Sequence, residues 1–246
     1  MRIILIFQYL RTLSRIVISI PMTQLKPNSE RAKKAKIILI VCVSISGIYL
    51  LQSLFELQRL SAFGDGRSFY IDDYLDRKDP LAALTQINSI ASLLAIVSFI
   101  QWFRRAYYNL HLRAGGLKYG EGAAAWSWFV PILNFFVPLV IMRELIDKSQ
   151  ETLKQNGVEM EKPITANYAN WWWISYWGAT VFSIAGILFL LNMNFSSIYR
   201  GQMYIALSQA LIVISGVLVI HIIKKYSALE ERLEGLVSEI DQIGLE

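Results

Sequence analysis

The sequence predicts an all-α integral membrane protein. Half of its 246 residues lie in five blocks that contain no Asp, Glu, Lys or Arg, namely 37–55, 81–103, 122–142, 163–199 and 201–223. The amphipathic elements of a soluble domain mix charge into every turn, whereas a membrane-spanning helix needs about 20 consecutive apolar residues. The single cysteine excludes a disulfide-rich chain, and the 54 % hydrophobic content excludes a disordered one.

Residues 1–21 are predicted to form a basic amphipathic helix. Gln8, Arg11 and Arg15 fall on one face at helical spacing, and apolar residues cover most of the rest. These polar residues interrupt the apolar run that a signal peptide needs, and no small-x-small cleavage site follows. The pattern favours a helix that lies in the membrane interface. The alternative is that Met22 is the natural start and that the residues before it are an upstream extension.

The first two spans are predicted at about 37–58 and 81–103. Five Lys and Arg residues lie within 26–36, just before the first span, and Arg104 and Arg105 follow the second. The loop between the spans contains five Asp residues and is the more acidic side. The positive-inside rule therefore predicts that the N-terminus and the Arg104 end face the cytoplasm.

The third block, 122–142, is predicted to be a Pro-broken helix that re-enters the membrane or lies in its interface. Pro131 and Pro138 each remove a helix hydrogen bond and clash with the preceding turn. Asn134, between them, needs a polar partner. If this block spanned the bilayer, the charged segment 143–162 and the basic end of the last span would both lie outside. We therefore expect four spans, with five spans as the alternative.

The last two spans are predicted at about 171–192 and 201–223, with both termini in the cytoplasm. This orientation puts all seven tryptophans at or near the cytoplasmic face. An aromatic belt is the simpler interpretation, although a belt normally appears on both faces. A packed site for a lipid headgroup or an amphipathic ligand is the alternative. The tryptophans are Trp102, Trp126, Trp128, Trp171, Trp172, Trp173 and Trp177.

A distinctive motif begins at the end of the second span. An Arg-Arg pair is followed by Tyr and Asn, then by Trp-Phe-x-Pro-x-x-Asn with a second Pro, and then by an Arg-Glu pair. Its residues are Arg104, Arg105, Tyr108, Asn109, Trp128, Phe129, Pro131, Asn134, Pro138, Arg143 and Glu144. With KPNSERAKKAKIILI before the first span and NYANWWWISYW at 167–177, the motif resembles the bacterial domain-of-unknown-function 4328 family. The resemblance covers about 25–226 and implies a multi-pass protein of the bacterial inner membrane, without indicating a chemistry.

The C-terminal tail, 227–246, is predicted to be a cytoplasmic helix that follows the membrane domain at 22–226. Apolar residues recur at spacings of three and four, which is typical of a heptad seam. The seam residues are Tyr226, Leu229, Leu233, Leu236, Ile240 and Ile243. The seam predicts self-association or docking on a partner's helix. The alternative is an amphipathic tail packed on the cytoplasmic loops of its own chain.

Recognisable catalytic and cofactor motifs are missing from the sequence. His111 and His221 lack Cys, Asp or Glu partners at metal-ligand spacing, so we expect no metal and no cofactor. There is no phosphate loop, GxSxG, HExxH or dinucleotide fingerprint. His221 is the only ionisable group of note within the charge-free blocks, which argues against ion-coupled transport. Basic flanks on an anionic leaflet explain the net charge of +5 without nucleic acid.

These observations favour a non-enzymatic scaffold or accessory subunit, which contacts membrane lipids and forms a homo-oligomer or binds a partner membrane protein. A small oligomeric channel or transporter with a path lined by 129–138 is the alternative. A lipid-acting enzyme that uses Arg104, Arg105, Asn109 and Glu144 is the third hypothesis. The ligand or interface candidates are Arg104, Arg105, Tyr108, Asn109, Trp126, Trp128, Pro131, Asn134, Pro138, Arg143, Glu144, Trp171, Trp172 and Trp173.

Overall fold

The computed structural model describes residues 25–63, 79–158, 163–192 and 194–243, with side chains from 83 in the second range and up to 236 in the last. These residues form helices and connecting turns without any strand, so the all-α prediction is confirmed for them. The helices are α1 Ser29–Ser61, α2 Asp79–Arg113, α3 Ala123–Trp126, α4 Pro131–Asn134, α5 Val137–Gln155, α6 Asn167–Leu190 and α7 Phe195–Ile243. The predicted interfacial helix at 1–21 lies outside the described residues.

Among the described residues, four helices are long and apolar enough to cross a membrane, in agreement with the four predicted spans. They are α1, α2 from Ala83 onward, α6, and α7 as far as Leu236. Helices α1, α2 and α7 each contain one of the charge-free blocks, and α6 lies within the block 163–199. Together they indicate a membrane protein. Helices α2 and α7 also continue for several turns beyond their apolar blocks, as far as Arg113 and Ile243.

The four-span prediction is favoured over the five-span alternative, because the block 122–142 does not form one long helix. It is divided among α3, α4 and the first turns of α5. Pro131 is the first residue of α4, and Pro138 lies in the first turn of α5. A proline is well tolerated at the start of a helix, where its missing N–H would have no partner. The two prolines therefore begin new helices instead of kinking an existing one.

The chain divides into two compact units. The motif unit contains, among the described residues, 25–33, 99–158, 163–166 and 222–243. The span unit contains 34–63, 79–98, 167–192 and 194–221. The motif unit therefore includes every residue of the motif from Arg104 to Glu144.

The span unit combines close helix packing with an apolar outer surface. Gly186 of α6 and Gly201 of α7 approach so closely that a Cβ on either would lie 3.1 Å from the carbonyl oxygen of the other. Small residues at such contacts are typical of membrane helices, which associate through close packing. Large aliphatic side chains point outward, among them Leu51, Leu93 and Val181. Exposed apolar surface of this extent is expected where lipid surrounds the helices.

The motif unit has its own core, built from aromatic and aliphatic side chains of α2, α5 and α7. Trp102 and Tyr107 of α2 are fully buried, as are Ile141 and Leu145 of α5. Tyr226 of α7 meets Trp102 edge to face, with 5.8 Å between the ring centroids. This geometry is favourable for aromatic pairs, so the contact stabilises the packing of α7 against α2.

The predicted oligomer seam needs correction at its first three positions. Tyr226, Leu229 and Leu233 are buried inside the chain itself, so a second copy cannot reach them. Leu236 is half-buried, and the side chains of Ile240 and Ile243 lie outside the described residues. The apolar spacing correctly identifies the buried face of the tail. Its partner is the chain's own motif unit, as in the alternative interpretation.

Candidate functional site

A buried cluster of polar side chains lies in the motif unit around Asn109. Its side-chain oxygen accepts a hydrogen bond from the backbone N–H of Lys26 at 3.2 Å. Its amide nitrogen donates to the carbonyl oxygen of Lys26 at 2.9 Å and to Oε1 of Glu230 at 2.9 Å. Asn109 thus satisfies both backbone groups of a residue in the segment before α1. Buried backbone groups need such partners, because an unpaired one is costly away from water.

The second oxygen of Glu230 is held by Asn28. The amide nitrogen of Asn28 donates to Oε2 of Glu230 at 3.0 Å, and both side chains are buried. Asn28 also precedes the first residue of α1, and its carbonyl oxygen accepts the N–H of Ala32 at 2.9 Å. Each carboxylate oxygen therefore has an amide donor of its own, one from the segment before α1 and one from α2.

Arg113 balances the charge of this carboxylate. Its Nη1 lies 3.8 Å from Oε1 of Glu230, and its Nη2 lies 3.5 Å from Oε1 of Glu234. The side chain of Arg113 is buried, whereas that of Glu234 is partly exposed. A charge is rarely buried unless it is paired and hydrogen-bonded. The Glu230 carboxylate meets both conditions, whereas Nε and Nη1 of Arg113 have no hydrogen-bond partner among the described residues. We call Asn28, Asn109, Arg113 and Glu230 the polar clasp.

Glu144 is the centre of a second network in the same unit. Its Oε2 accepts a 2.7 Å hydrogen bond from the hydroxyl of Tyr107, and its Oε1 accepts the backbone N–H of Lys118 at 2.9 Å. The Tyr107 hydroxyl also lies 3.0 Å from the carbonyl oxygen of Tyr119. The loop after α2 turns at Gly116, whose φ of +71° is unfavourable for residues with a side chain. Glu144 therefore ties α5 to α2 and to this loop.

Several cationic side chains accompany these networks. Arg104 and Arg143 are exposed, and Arg105 is half-buried. The Nζ of Lys26 lies 4.2 Å from the ring centroid of Tyr108, which places a cation over an aromatic face. The motif unit thus presents positive charge near the end of α2, as the sequence predicted from the Arg-Arg pair.

The candidate tryptophans are divided between the two units. Trp102, Trp126 and Trp128 belong to the motif unit, where Trp102 is buried and Trp126 is exposed. Trp128 meets the rings of Phe99 and Phe103 edge to face, at centroid distances of 5.7 Å and 6.2 Å. Its ring nitrogen donates to the carbonyl oxygen of Ala124 at 3.2 Å.

The other tryptophans belong to the span unit. Trp172 and Trp173 are buried, with 5.2 Å between their ring centroids, whereas Trp171 is exposed. Trp173 also stacks on Tyr176 and meets Trp177 edge to face. Most of these rings therefore pack against one another near the start of α6.

The residues suggested for lipid chemistry have different surroundings. Asn109 belongs to the polar clasp, Glu144 belongs to the second network, and Arg104 is exposed. No group of His, Cys, Asp and Glu in the described ranges is placed to bind a metal ion. His221 instead packs against the ring of Tyr168, at 4.7 Å between centroids.

Three members of the polar clasp were not among the sequence candidates. Asn28 lies in the KPNSER stretch that contributed to the resemblance, so its position was a usable signal. Arg113 follows the Arg-Arg/Tyr/Asn run on the same helix. The sequence does not distinguish Glu230 from the other charged residues of the tail, because it simply follows seam residue Leu229.

Comparison with known families identifies the central part of the chain. A family described as a domain of unknown function, DUF4328, matches residues 73–228. The chain belongs to the DUF4328 family. No curated protein and no solved structure matches the chain significantly. The DUF4328 match includes Asn109 and Arg113 but ends two residues before Glu230, and it begins after Asn28. The clasp thus joins the family's domain to segments on either side of it.

Proposed function

We propose that this DUF4328 protein is a non-enzymatic scaffold or accessory subunit of an assembly in the bacterial inner membrane. The observation that supports this proposal is that the polar side chains of the motif form hydrogen bonds with other parts of the same chain. Asn109 and Glu144, the residues best suited by type to act on a ligand, both bond to partners within the chain. A catalytic group must reach its substrate, whereas these groups hold segments of the protein together.

The polar clasp and the Glu144 network connect most segments of the motif unit to one another. The polar clasp joins the segment before α1 to α2 and α7, and the Glu144 network joins α2 to α5. Hydrogen bonds within such buried networks favour one arrangement of the segments that they connect. A fixed arrangement of helices and loops is what a docking platform for another membrane protein requires.

We further propose that the motif unit faces the cytoplasm. The support is the distribution of Lys and Arg, which is densest before α1 and after the apolar part of α2. The test uses a Cys42→Ala background with a cysteine at Lys154 or at Ser196, and a membrane-impermeant thiol reagent on intact cells. Labelling at position 196 alone is the expected result. Labelling at position 154 would reverse the orientation.

The scaffold role is tested by extraction in a mild detergent, followed by mass determination of the particle and identification of co-purifying proteins. The expected result is a particle of defined stoichiometry that contains a partner protein or several copies of the chain. Reconstituted liposomes should show no ion or solute flux above that of empty liposomes. A monomer that retains no partner after in-membrane crosslinking would contradict the proposal.

An oligomeric channel is the second candidate, and Asn134 is the observation that favours it. Its side-chain oxygen is buried and has no hydrogen-bond partner among the described residues. A buried polar atom of this kind is expected to be paired in the complete assembly, for example with a neighbouring copy or with permeating solute. Flux in liposomes that changes on Asn134→Ala, but not on Asn192→Ala, would favour the channel over the scaffold.

A further inference from the structure

The motif unit carries an exposed apolar surface formed by one short stretch of chain. We call it the 126–136 surface, and its large side chains are Trp126, Phe129, Val130, Ile132, Phe135 and Phe136. Phe129 is 77 % exposed and Ile132 is 73 % exposed, so these side chains make little contact with the rest of the chain. Exposed apolar patches of this kind mark surfaces that meet a membrane or another protein.

The position of the 126–136 surface is fixed, because other residues of the same stretch are buried in the motif unit. Ala123, Ala124 and Ser127 are buried below it, and Val137 and Ile141 are buried at its far end. In α3 the small residues Ala123 and Ala124 are buried and Trp126 is exposed, whereas α4 has no buried residue and exposes Ile132. The stretch therefore presents its aromatic and aliphatic side chains as a prepared outer face.

The contacts of Trp128 give the depth of this stretch relative to the apolar part of α2. Trp128 packs on Phe99 and Phe103, which belong to the last two turns of the charge-free block 81–103. At 1.5 Å per residue, Phe99 lies about 7 Å along the helix from Arg104. The apolar faces of interfacial helices lie about 5–10 Å into the boundary between headgroups and acyl chains. The 126–136 surface is therefore beside the part of a spanning helix that crosses this boundary.

Two exposed arginines lie next to residues associated with the surface, since Phe103 is a contact of Trp128 and Met142 ends the charge-free block, whereas the acidic Glu121 precedes that block. Arg104 follows the apolar part of α2, and Arg143 follows the apolar start of α5, and both are exposed. No charged residue lies between Gly122 and Met142. Guanidinium groups beside an apolar surface complement a leaflet that contains anionic phospholipids, because they meet the phosphates while the apolar groups enter below.

We propose that the 126–136 surface inserts into the headgroup–acyl boundary of one leaflet without crossing the bilayer, and that Arg104 and Arg143 bind anionic phospholipid phosphates beside it. The occupant of this surface is the lipid bilayer. The proposal depends on the membrane character of the chain and not on its role as a scaffold. It selects the interfacial arrangement over the re-entrant one that the sequence also allowed.

The depth of insertion can be measured with nitroxide labels on the full chain in vesicles of phosphatidylcholine and phosphatidylglycerol. Single cysteines at Phe129 and Ile132 are made in a Cys42→Ala background. Lys154 provides the aqueous control, and Leu51, an exposed residue of α1, provides the control within the bilayer. Labels at 129 and 132 are expected to collide more with oxygen than with a water-soluble nickel chelate and to lie about 5–10 Å below the phosphates.

Three results would overturn the insertion. Accessibility like that at Lys154 would place the surface in water, and depth near the middle of the bilayer would make the stretch re-entrant. Protection from both quenchers would show that protein covers it, for example a second copy. Circular dichroism and gel filtration of each labelled protein exclude misfolding as the cause.

The role of the arginines is tested separately. Arg104→Gln combined with Arg143→Gln is expected to make the label at Ile132 shallower in vesicles that contain phosphatidylglycerol. In vesicles of phosphatidylcholine alone, the double variant and the parent should behave alike. Lys33→Gln is the matched control, because Lys33 is also an exposed cation of the motif unit. Equal depth for parent and double variant in both vesicles would refute the binding of anionic lipid.

Discussion

The side-chain amide of Asn109 donates a hydrogen bond of 2.9 Å to Oε1 of Glu230, although 121 residues separate the two in the chain. Asn28 holds the other carboxylate oxygen, from a position 202 residues before Glu230. The tail of α7 is therefore fastened to α2 and to the segment that precedes α1. Contacts so distant in sequence require α2, α7 and the segment before α1 to pack together. The hydrogen bonds of the polar clasp therefore depend on the tertiary structure of the motif unit.

Glu230→Ala is expected to lower the free energy of unfolding by about 3–5 kcal/mol. The substitution leaves Arg113 buried without its buried carboxylate partner and removes the acceptor of two amide donors. The measurement is a denaturant titration of the purified protein in detergent, followed by circular dichroism.

Glu231→Ala is the matched control for this variant, because Glu231 is adjacent and exposed. Its effect should stay within about 0.5 kcal/mol, as is usual for surface positions. The double variant Arg113→Ala with Glu230→Ala should cost less than the sum of the two single variants, since the two groups interact. Equal stability of Glu230→Ala and Glu231→Ala would show that the clasp contributes nothing.

The elements of the fold could largely be predicted from the sequence, because they depend on local properties. Each of the four helices that can span a bilayer corresponds to a charge-free run of about 20 residues without an internal proline. Pro131 and Pro138 also act locally, since each fixes φ and lacks an N–H, and each begins a helix in the structure. The division of 122–142 into separate pieces follows from these two residues.

The partners of the polar residues could not be predicted in the same way. Asn109 and Glu144 were expected to face a common ligand, but they belong to different networks within the chain. The spacing of Tyr226, Leu229 and Leu233 identified an apolar face without indicating what covers it. Periodicity describes one helix at a time, whereas a partner depends on contacts across most of the sequence.

Tyr107→Phe is expected to lower the free energy of unfolding by about 1.5–3 kcal/mol, the usual contribution of a hydrogen bond to a charged group. It removes the hydroxyl that donates to Glu144, and it keeps the buried ring. Tyr119→Phe is the control, because Tyr119 takes part through its backbone carbonyl, which the substitution retains. If both variants unfold at the same denaturant concentration, the Tyr107–Glu144 bond does not stabilise the motif unit.

Gly186→Ala is expected to lower the free energy of unfolding by about 1–3 kcal/mol through overpacking. A Cβ at this position would lie 2.9 Å from two carbon atoms of Ile205 and 3.1 Å from the carbonyl oxygen of Gly201. Gly47→Ala is the control in another spanning helix, because nothing lies within 4 Å of its Cβ position. Thermal unfolding in detergent should separate the two variants, and an unchanged Gly186→Ala protein would mean that α6 and α7 adjust without cost.

Ser46→Ala is expected to destabilise the pairing of α1 and α2 by about 1–2 kcal/mol, because a buried acceptor loses its donor. The hydroxyl of Ser46 donates to the side-chain oxygen of Asn88 at 2.9 Å, and both residues are buried in the span unit. Ser44→Ala is the matched control, since the exposed hydroxyl of Ser44 bonds only to the carbonyl oxygen of Ile40 in its own helix. The measurement is unfolding by increasing sodium dodecyl sulfate in mixed micelles. Adding Asn88→Ala to Ser46→Ala should cost less than the two single effects combined, whereas strict additivity would show that this hydrogen bond does not couple the two helices.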